Sequence, residues 1–332
     1  MTRLLSAVCV CLAGIAAWTA TRPPDIPFEK HTLDLGANES CAIADIDGDG
    51  HPDIVSGENW YEGPRWIKHK FRSLPYTNNY IDNFSDLPLD VNGDGRIDIV
   101  SCSWFAKRLF WSENPGTAAG EWKEHMIETG SPVEFAFLVD LDNDGKAREV
   151  LPEFGDTNMP LAWYEVRSGA FIKHIVSPKS WGHGIGAGDV NGDGRNDIVT
   201  SMAHNYGIFW LEQGADGGWT KHIIDESWSQ AHALTLVDLN GDGQKDLLTG
   251  KRYMAHNGHD PGGREPLGIY WYEFMRLDGG QTIEWVKHVV DYSTRTGGGM
   301  QIPVADLYGH GRLDFAVAGK SGLFLFENLS RH

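Results

Sequence analysis

The chain has 332 residues, 41% of them hydrophobic, and a formal net charge of −18. So acidic a chain lacks the basic patches that nucleic-acid binding requires, which excludes that class of partner. It begins with Arg3 and an apolar run from Leu4 to Ala17. The run is too short to span a bilayer, so it predicts a secretory signal over residues 1–20 and a secreted protein. We expect residues 21–332 to form a single domain with no membrane span.

A short acidic phrase occurs six times along the chain. It first reads Asp45-Ile-Asp47-Gly-Asp49-Gly-His51-Pro-Asp53 and starts again at Asp90, Asp140, Asp189 and Asp238, with a degenerate copy at Asp306. The starts are 45, 50, 49, 49 and 68 residues apart, which is the spacing of a repeat protein. Oxygen-bearing side chains stand at the first, third, fifth and ninth positions, and glycines permit a tight turn. Because calcium takes about six to eight oxygen ligands, each intact phrase predicts a calcium loop.

The expected ligands are carboxylates, with asparagine at three of the third positions. They are Asp45, Asp47, Asp49 and Asp53; Asp90, Asn92, Asp94 and Asp98; Asp140, Asp142, Asp144 and Glu149; Asp189, Asn191, Asp193 and Asp197; and Asp238, Asn240, Asp242 and Asp246. In the third loop Arg148 takes the ninth position and Glu149 follows it. In the sixth, Tyr308 and His310 replace two ligands, so we expect that loop to bind calcium least. Five Ca²⁺ ions would bring the net charge of −18 to about −8.

Each loop lies inside a unit that predicts four short strands. A small apolar strand such as Cys41–Ala44 precedes the loop, and a β-branched one such as Asp53–Ser56 follows it. A third strand carries aromatic residues, as in Trp60–Glu62, and a fourth ends in Lys-His or a close variant, as at His69. Units of roughly 50 residues with four antiparallel strands are typical of propeller blades. Because the histidines and aromatics recur in every blade, we interpret them as structural.

The sixth unit ends at Asn328 after three strands. Phe28-Glu-Lys-His31 repeats the fourth-strand pattern before the first unit begins. We therefore predict an all-β, six-bladed β-propeller whose N-terminal strand completes the last blade and leaves no open sheet edge.

Residues 28–329 resemble the FG-GAP/VCBS class of propellers, whose calcium-loop blades also occur in integrin α heads. The resemblance implies the fold and the structural calcium. It does not imply a function, because propellers include both binding proteins and enzymes.

Function is expected on the face opposite the calcium loops, where the connecting loops are irregular. The residue six positions before each first Asp stands at the mouth of the central channel, and these residues differ between blades. They are Glu39, Phe84, Glu134, His183, His232 and Met300. Two carboxylates and two imidazoles serve as general acids and bases, or as ligands of an additional divalent metal.

The loops between second and third strands surround this mouth. Blade five carries the longest of them, from Lys251 to Pro266, which accounts for the 68-residue spacing. The candidate catalytic residues are His183, His232, Glu134, Glu39, His204, Asp156, Lys251, Arg252 and Tyr253. His256 and His259 lie in the same loop, and they are equally consistent with a functional role and with the ordinary polarity of a loop.

The blades also resemble the propeller of secreted aldos-2-ulose dehydratases and other propeller lyases, although the chain lacks their cupin domains. That resemblance implies acid/base elimination on a polyoxygenated small molecule or sugar. A base such as His183 or His232 would abstract the acidic proton. Glu134 or Tyr253 would act as the acid, and Lys251 or Arg252 would stabilise the enolate oxygen.

Two alternatives remain open. The first is a resemblance in size, secretion and chemistry to secreted fungal hetero-Diels–Alderases, which dehydrate a hydroxymethyl tropolone to a quinone methide and direct its cycloaddition. Trp104, Trp181, Trp228 and Tyr253 would make such a pocket more apolar. The second is a non-catalytic adhesion or carbohydrate-binding propeller. The mixed Glu/His mouth favours an enzyme.

The remaining sequence features concern covalent modification. Cys41 and Cys102 stay after removal of the signal, and they form either an inter-blade disulfide or two buried thiols. Asn38, Asn83 and Asn328 begin glycosylation sequons.

Overall fold

The computed structural model describes residues 25–117, 120–142, 144–154, 158–178, 186–277 and 282–330, so the expected signal over residues 1–20 lies outside the described residues. Six four-stranded sheets and one two-stranded hairpin account for the strands. Within the described part of the chain, no helix has the length and apolarity of a membrane span.

The first half of the ring is built in chain order. The first strand is β1 (Phe28–Asp34), and blade 1 follows as β2 (Cys41–Ala44), β3 (Asp53–Ser56), β4 (Asn59–Glu62) and β5 (Ile67–Lys70). A hairpin of β6 (Tyr76–Thr77) and β7 (Tyr80–Ile81) leads to blade 2, which contains β8 (Ser85–Leu89), β9 (Asp98–Ser103), β10 (Arg108–Glu113) and β11 (Lys123–Thr129). Blade 3 contains β12 (Val133–Val139), β13 (Glu149–Phe154), β14 (Leu161–Arg167) and β15 (Ala170–Ser177).

The second half repeats the plan with one insertion. Blade 4 contains β16 (Gly186–Gly188), β17 (Asp197–Ser201), β18 (Tyr206–Gln213) and β19 (Trp219–Ser229). Blade 5 contains β20 (Ala231–Val237), β21 (Asp246–Lys251), β22 (Gly268–Leu277) and β23 (Thr282–Tyr292), with a 3₁₀ helix at Ala255–Gly258 between β21 and β22. Blade 6 contains β24 (Val304–Ala305), β25 (Asp314–Gly319) and β26 (Gly322–Asn328).

The N-terminal strand completes blade 6, as predicted. β1 pairs antiparallel with β26, with Phe28 opposite Asn328 and Thr32 opposite Phe324. The Phe28 ring also packs edge-on against Phe315 with a centroid separation of 5.1 Å. The six-bladed all-β fold and its closure by the N-terminal strand are therefore confirmed.

The recurrent histidines have a common structural environment. In five blades the fourth-strand histidine stacks on the third-strand tryptophan, with ring centroids 4.1–4.4 Å apart. Its Nε2 also lies 2.7–3.1 Å from a third-strand glutamate. In blade 6, His31 of β1 contacts Glu327 in the same way at 2.9 Å. These histidines tie the two outer strands of each blade together.

The ninth-position carboxylates stabilise the acidic loops by accepting hydrogen bonds from the backbone. Asp53 accepts hydrogen bonds from the backbone N–H groups of Ile46, at 2.7 Å, and Gly63, at 2.8 Å. Equivalent pairs of bonds recur at Asp98, Asp197, Asp246 and Asp314. Because Asp314 keeps them in the degenerate sixth loop, this carboxylate stabilises the turn independently of any metal.

The modification sites are internal. Cys41 and Cys102 are both free, buried thiols, so the disulfide alternative is not realised. Asn38, Asn83 and Asn328 are all buried, and their side-chain nitrogens donate to protein oxygens. A glycan at any of the three would displace packed neighbours, so the burial of these sequons disfavours glycosylation there.

Candidate functional site

Three of the residues predicted to stand at the channel mouth lie close together in the described part of the chain. Glu39 precedes β2, Glu134 lies in β12 and His232 lies in β20, and all three are buried. Phe84 and Met300, at the equivalent positions of blades 2 and 6, belong to the hydrophobic core. Three other residues considered from sequence lie outside the described residues: His183, Asp156 and Trp181.

Four charged side chains form what we call the axis cluster: Glu39, Glu134, Arg252 and Lys320. Arg252 follows β21 and is only 3% exposed; its Nε donates to Glu39 Oε2 at 3.1 Å, and its Nη1 lies 3.4 Å from Glu134 Oε1. Lys320 Nζ lies 2.8 Å from Glu39 Oε1. It also lies 3.6 Å from the centroid of the Tyr80 ring. The cluster therefore balances two negative against two positive charges away from water, which fixes its geometry.

His232 is held in one orientation beside this cluster. Its Nδ1 lies 3.2 Å from the backbone oxygen of Gln230 and donates to it, while its buried Nε2 contacts no hydrogen-bond partner among the described residues. Burial, and then the nearby Arg252 charge, hold the pKa of His232 well below its usual range. The Nε2 lone pair of a neutral imidazole is therefore available.

His204 lies next to His232, on the side towards the surface. Its ring lies 5.0 Å from that of His232 and stacks on that of His256 at 4.3 Å. Asp260 Oδ2 lies 3.3 Å from His204 Nδ1 and 3.1 Å from His256 Nδ1. Burial, followed by the neighbouring His256, lowers the pKa of His204. The site thus contains two adjacent imidazoles that are neutral near pH 7.

Two cavities meet at these residues. One, of about 410 Å³, is lined by Glu134, His204 and His232 together with Ser201 and Met202 of blade 4. The other, of about 370 Å³, also contacts Glu134 and His204. Its remaining wall is largely aromatic, formed by Tyr80, Phe84, Trp104 and Phe105 with Arg252 and His256. The volumes suit a small molecule, and the lining combines polar side chains with an aromatic surface.

The blade-5 insertion closes one side of the site. It crosses the ring to the β6–β7 hairpin, where the His256 N–H donates to the Tyr80 hydroxyl at 2.8 Å and the Asn257 side chain bonds to Asn79 at 3.2 Å. Met254, His256 and Asn257 have positive φ angles of 52°, 45° and 55°. Residues other than glycine rarely adopt this backbone conformation, which is strained. The contacts across the ring offset that strain.

Three expected pocket residues lie elsewhere. Lys251 is buried, with Nζ 2.9 Å from Ser229 Oγ and 3.9 Å from Glu265. Tyr253 lines a separate cavity of about 500 Å³ that Lys320 also borders. Trp228 donates to Tyr272 in the blade-5 core. None of them borders either of the two cavities that meet at Glu134 and His204. The roles suggested for them, as enolate stabiliser, acid and apolar wall, stay predictions.

The structure also adds residues that the sequence did not single out. Lys320 stands in the β25–β26 turn of blade 6, and Asp260 and Tyr80 complete the histidine group and the aromatic wall. Lys320 occupies the same kind of second-to-third-strand loop as the other candidates, so extending that comparison to the sixth blade would have found it.

Comparison with known proteins supports the repeat assignment. Residues 90–147 and 189–249 match the FG-GAP-like repeat. The chain is therefore a six-bladed propeller that carries FG-GAP-like repeats. No curated protein matches the sequence.

Three solved structures illustrate the range of similar folds. BBS1N, crystallised in complex with ARL6DN, is 10% identical with a TM-score of 0.49, over 91% of this chain and 96% of that chain. An auxiliary nutrient binding protein from Bacteroides ovatus is 10% identical with a TM-score of 0.49, over 92% and 78%. A glucose dehydrogenase is 11% identical with a TM-score of 0.49, over 91% and 100%. Similarity at this level carries no functional inference.

Proposed function

We propose that this protein is an enzyme that performs acid/base elimination, a dehydration or lyase reaction, on a polyoxygenated small molecule or sugar. The observation that supports this proposal best is His232, whose Nδ1–H is anchored to Gln230 while its buried Nε2 has no partner among the described residues. An oriented neutral imidazole at the wall of a cavity is suited to proton abstraction.

The reaction begins at the carbon next to a substrate carbonyl. His232 Nε2 takes the proton from that carbon, and the electron pair of the C–H bond moves into an enolate. The enolate then expels the β-hydroxyl group, which takes the proton from the imidazolium and leaves as water. Glu134 stabilises the imidazolium, because an adjacent carboxylate favours the charged form. Arg252, which borders the aromatic cavity, favours charge on the enolate oxygen.

A second candidate is supported by the aromatic cavity. Tyr80, Phe84, Trp104 and Phe105 present an aromatic wall beside Glu134 and His204. Such a wall favours a planar substrate, as in dehydration of a hydroxymethyl tropolone to a quinone methide followed by directed hetero-Diels–Alder addition. Both candidates begin with the same loss of water.

We also propose that the five intact loops bind structural Ca²⁺ in a secreted protein. In the first loop Asp45, Asp47 and Asp53 offer oxygens within 4.8 Å of one another. Backbone N–H groups of Gly48 and Gly50 donate to the two Asp45 oxygens at 2.8 and 3.0 Å, which orients that carboxylate. These oxygen donors fit a hard cation whose contribution is to neutralise the loop charge.

The test is an absorbance assay for a new conjugated enone or quinone methide, with keto-sugar and hydroxymethyl-tropolone substrates in turn. Replacing His232 with Gln should lower the rate by a factor of about 10² to 10⁴, the usual contribution of a general base. The matched control is His174→Gln, which removes a blade histidine that stacks on Trp163. It should lower stability and leave turnover by the folded protein unchanged.

Equal turnover by His232→Gln and wild type would overturn the assigned base. If no substrate reacts and the protein instead retains a glycan through the same face, it is a carbohydrate-binding propeller.

A further inference from the structure

A separate cavity lies beside the axis cluster, between blades 5 and 6. It has a volume of about 500 Å³, and its lining includes Tyr253, Glu265, Ser293, Arg295, Lys320 and Ser321. We propose that this cavity, which we call the blade 5–6 pocket, binds a carboxylate-bearing sugar unit. The binding itself does not rest on the proposed function, whereas the role of the pocket as a subsite for the substrate does.

The walls of the blade 5–6 pocket are joined to one another by hydrogen bonds. The Ser293 N–H, in the loop between the two blades, donates to the backbone oxygen of Leu267 at the end of the blade-5 insertion, at 2.9 Å. The Gly297 N–H of the same loop donates to Ser321 Oγ in the β25–β26 turn at 3.2 Å. A Cβ atom on Gly297 would lie 2.6 Å from the Cβ of Tyr253, so this close approach requires glycine. The pocket is therefore formed before a ligand arrives, which lowers the entropic cost of binding.

Lys320 connects the blade 5–6 pocket to the site described above. Its side chain is only 8% exposed, and its Nζ lies 2.8 Å from Glu39 in the axis cluster. The same Nζ donates to the backbone oxygen of Tyr253 at 3.4 Å and lies 3.6 Å from the ring centroid of Tyr80, which lines the aromatic cavity. A ligand unit in the blade 5–6 pocket would therefore be separated from the aromatic cavity by one layer of side chains.

The charge of Arg295 selects an anionic group. Arg295 is exposed and has no ion-pair or hydrogen-bond partner among the described residues. The other charges of the lining already face opposite charges, because Lys320 pairs with Glu39 and Glu265 lies 3.9 Å from Lys251. Arg295 therefore gives the pocket an uncompensated positive charge in a chain whose formal net charge is −18. A guanidinium binds a carboxylate through two parallel hydrogen bonds.

The rest of the lining favours a sugar ring over a simple anion. Tyr253 is 38% exposed, so its ring offers an accessible apolar surface in the pocket. Ser293 and Ser321 supply hydroxyl groups, and the exposed carboxylate of Glu265 accepts hydrogen bonds. A sugar ring has an apolar face of C–H groups and a rim of hydroxyls, so it would use both kinds of surface. A small inorganic anion would use only the charge of Arg295.

Calorimetric titration of the full protein in excess Ca²⁺ tests the binding. The two probes are methyl glucuronoside and methyl glucoside, which differ only in the carboxylate. Wild-type protein should bind the glucuronoside about 10-fold or more tightly than the glucoside, as is usual for a hydrogen bond to a charged group. Arg295→Gln should abolish this difference and leave the affinity for the glucoside unchanged. Tyr253→Leu should weaken the binding of both glycosides, because it removes the surface on which the ring packs.

The matched control is Arg65→Gln, which removes an arginine of blade 1 whose side chain is 72% exposed. This variant should bind both glycosides like the wild type. Equal affinity of the wild type for the two glycosides would overturn the proposal, and so would unchanged glucuronoside binding by Arg295→Gln. Acetate that binds as tightly as the glucuronoside would overturn the assignment to a sugar acid, because the ring would then contribute nothing.

Turnover separates the failure of this proposal from the failure of the proposed function. With a keto-sugar that carries a glucuronate unit, Arg295→Gln should raise KM by about 10-fold and leave kcat unchanged. With the neutral keto-sugar, neither constant should change. Turnover that depends on His232 but is indifferent to the glucuronate unit would overturn the subsite and leave the elimination. Selective glucuronoside binding that depends on Arg295, without turnover of any substrate, would support the binding site and remove the enzyme assignment.

Discussion

Removing the guanidinium of Arg252 should strongly destabilise the propeller. Arg252 and Glu39 are 3% and 1% exposed, and Arg252 also pairs with Glu134. The change Arg252→Met keeps most of the side-chain volume but leaves Glu134 without this partner and Glu39 with Lys320 alone. Breaking a buried ion pair by removing one partner costs about 3–5 kcal/mol. We expect a loss of that size in the free energy of unfolding.

Urea unfolding in excess Ca²⁺, followed by tryptophan fluorescence, would measure this loss. The matched control is Arg65→Met, which removes an arginine paired with Glu62 at 3.1 Å whose side chain is 72% exposed. That change should cost less than about 1 kcal/mol, as is usual for surface pairs. The double variant Arg252→Met/Glu39→Gln should recover part of the loss, because one uncompensated charge is removed. If Arg252→Met costs no more than Arg65→Met, the axis cluster is not a buried charge network.

Three further predictions concern the scaffold. Chelation by EDTA should lower the melting temperature by several degrees or more, because empty carboxylate loops repel themselves, and an unchanged melt without metal in elemental analysis would refute the calcium sites. Deleting residues 21–34 removes β1 and exposes the edge of β26, so the protein should aggregate; a soluble variant with a normal melt would show that closure is dispensable. Burial alone would raise the pKa of Asp225, but hydrogen bonds from Tyr272 and Lys287 help to hold it at about 2. The ionised Asp225 carboxylate therefore stabilises the folded protein above about pH 4, and this stabilisation is lost as the pH falls towards 2. Asp225→Asn should lower the free energy of unfolding by roughly 2 kcal/mol at pH 7 and should flatten its dependence on pH in this acid range. An identical pH profile of stability for the variant and the wild type would contradict this role of Asp225.

The fold could be predicted because each blade repeats the same pattern of strands, acidic loop and histidine contacts. His31 carries the fourth-strand pattern far from the other strands of its blade, and it contacts Glu327 as the equivalent histidines contact their glutamates. The acidic loops mark every boundary between the first and second strands. The sequence pattern therefore specifies both the number of blades and the closure of the ring.

The site could be predicted only in part, because it depends on where irregular loops end. Glu39, Glu134 and His232 occupy equivalent repeat positions, so their convergence follows from the ring. The direction of the blade-5 insertion does not follow from the repeat. That direction places Arg252 beside Glu39 at the axis, while Lys251 bonds to Ser229. Alternation along an extended chain sends these neighbours to opposite sides, and sequence alone does not show which side faces the axis.

Proton abstraction in the axis pocket is the central claim, and solvent deuterium exchange tests it most directly. A keto-sugar analogue without the β-hydroxyl group cannot eliminate, but its α-proton can still be removed and replaced from D₂O. Wild-type protein should catalyse this exchange, and His232→Gln should slow it, because His232 is the proposed base. His174→Gln should exchange like the wild type. Binding of the analogue without exchange above the uncatalysed rate, or equal exchange by His232→Gln, would contradict the account.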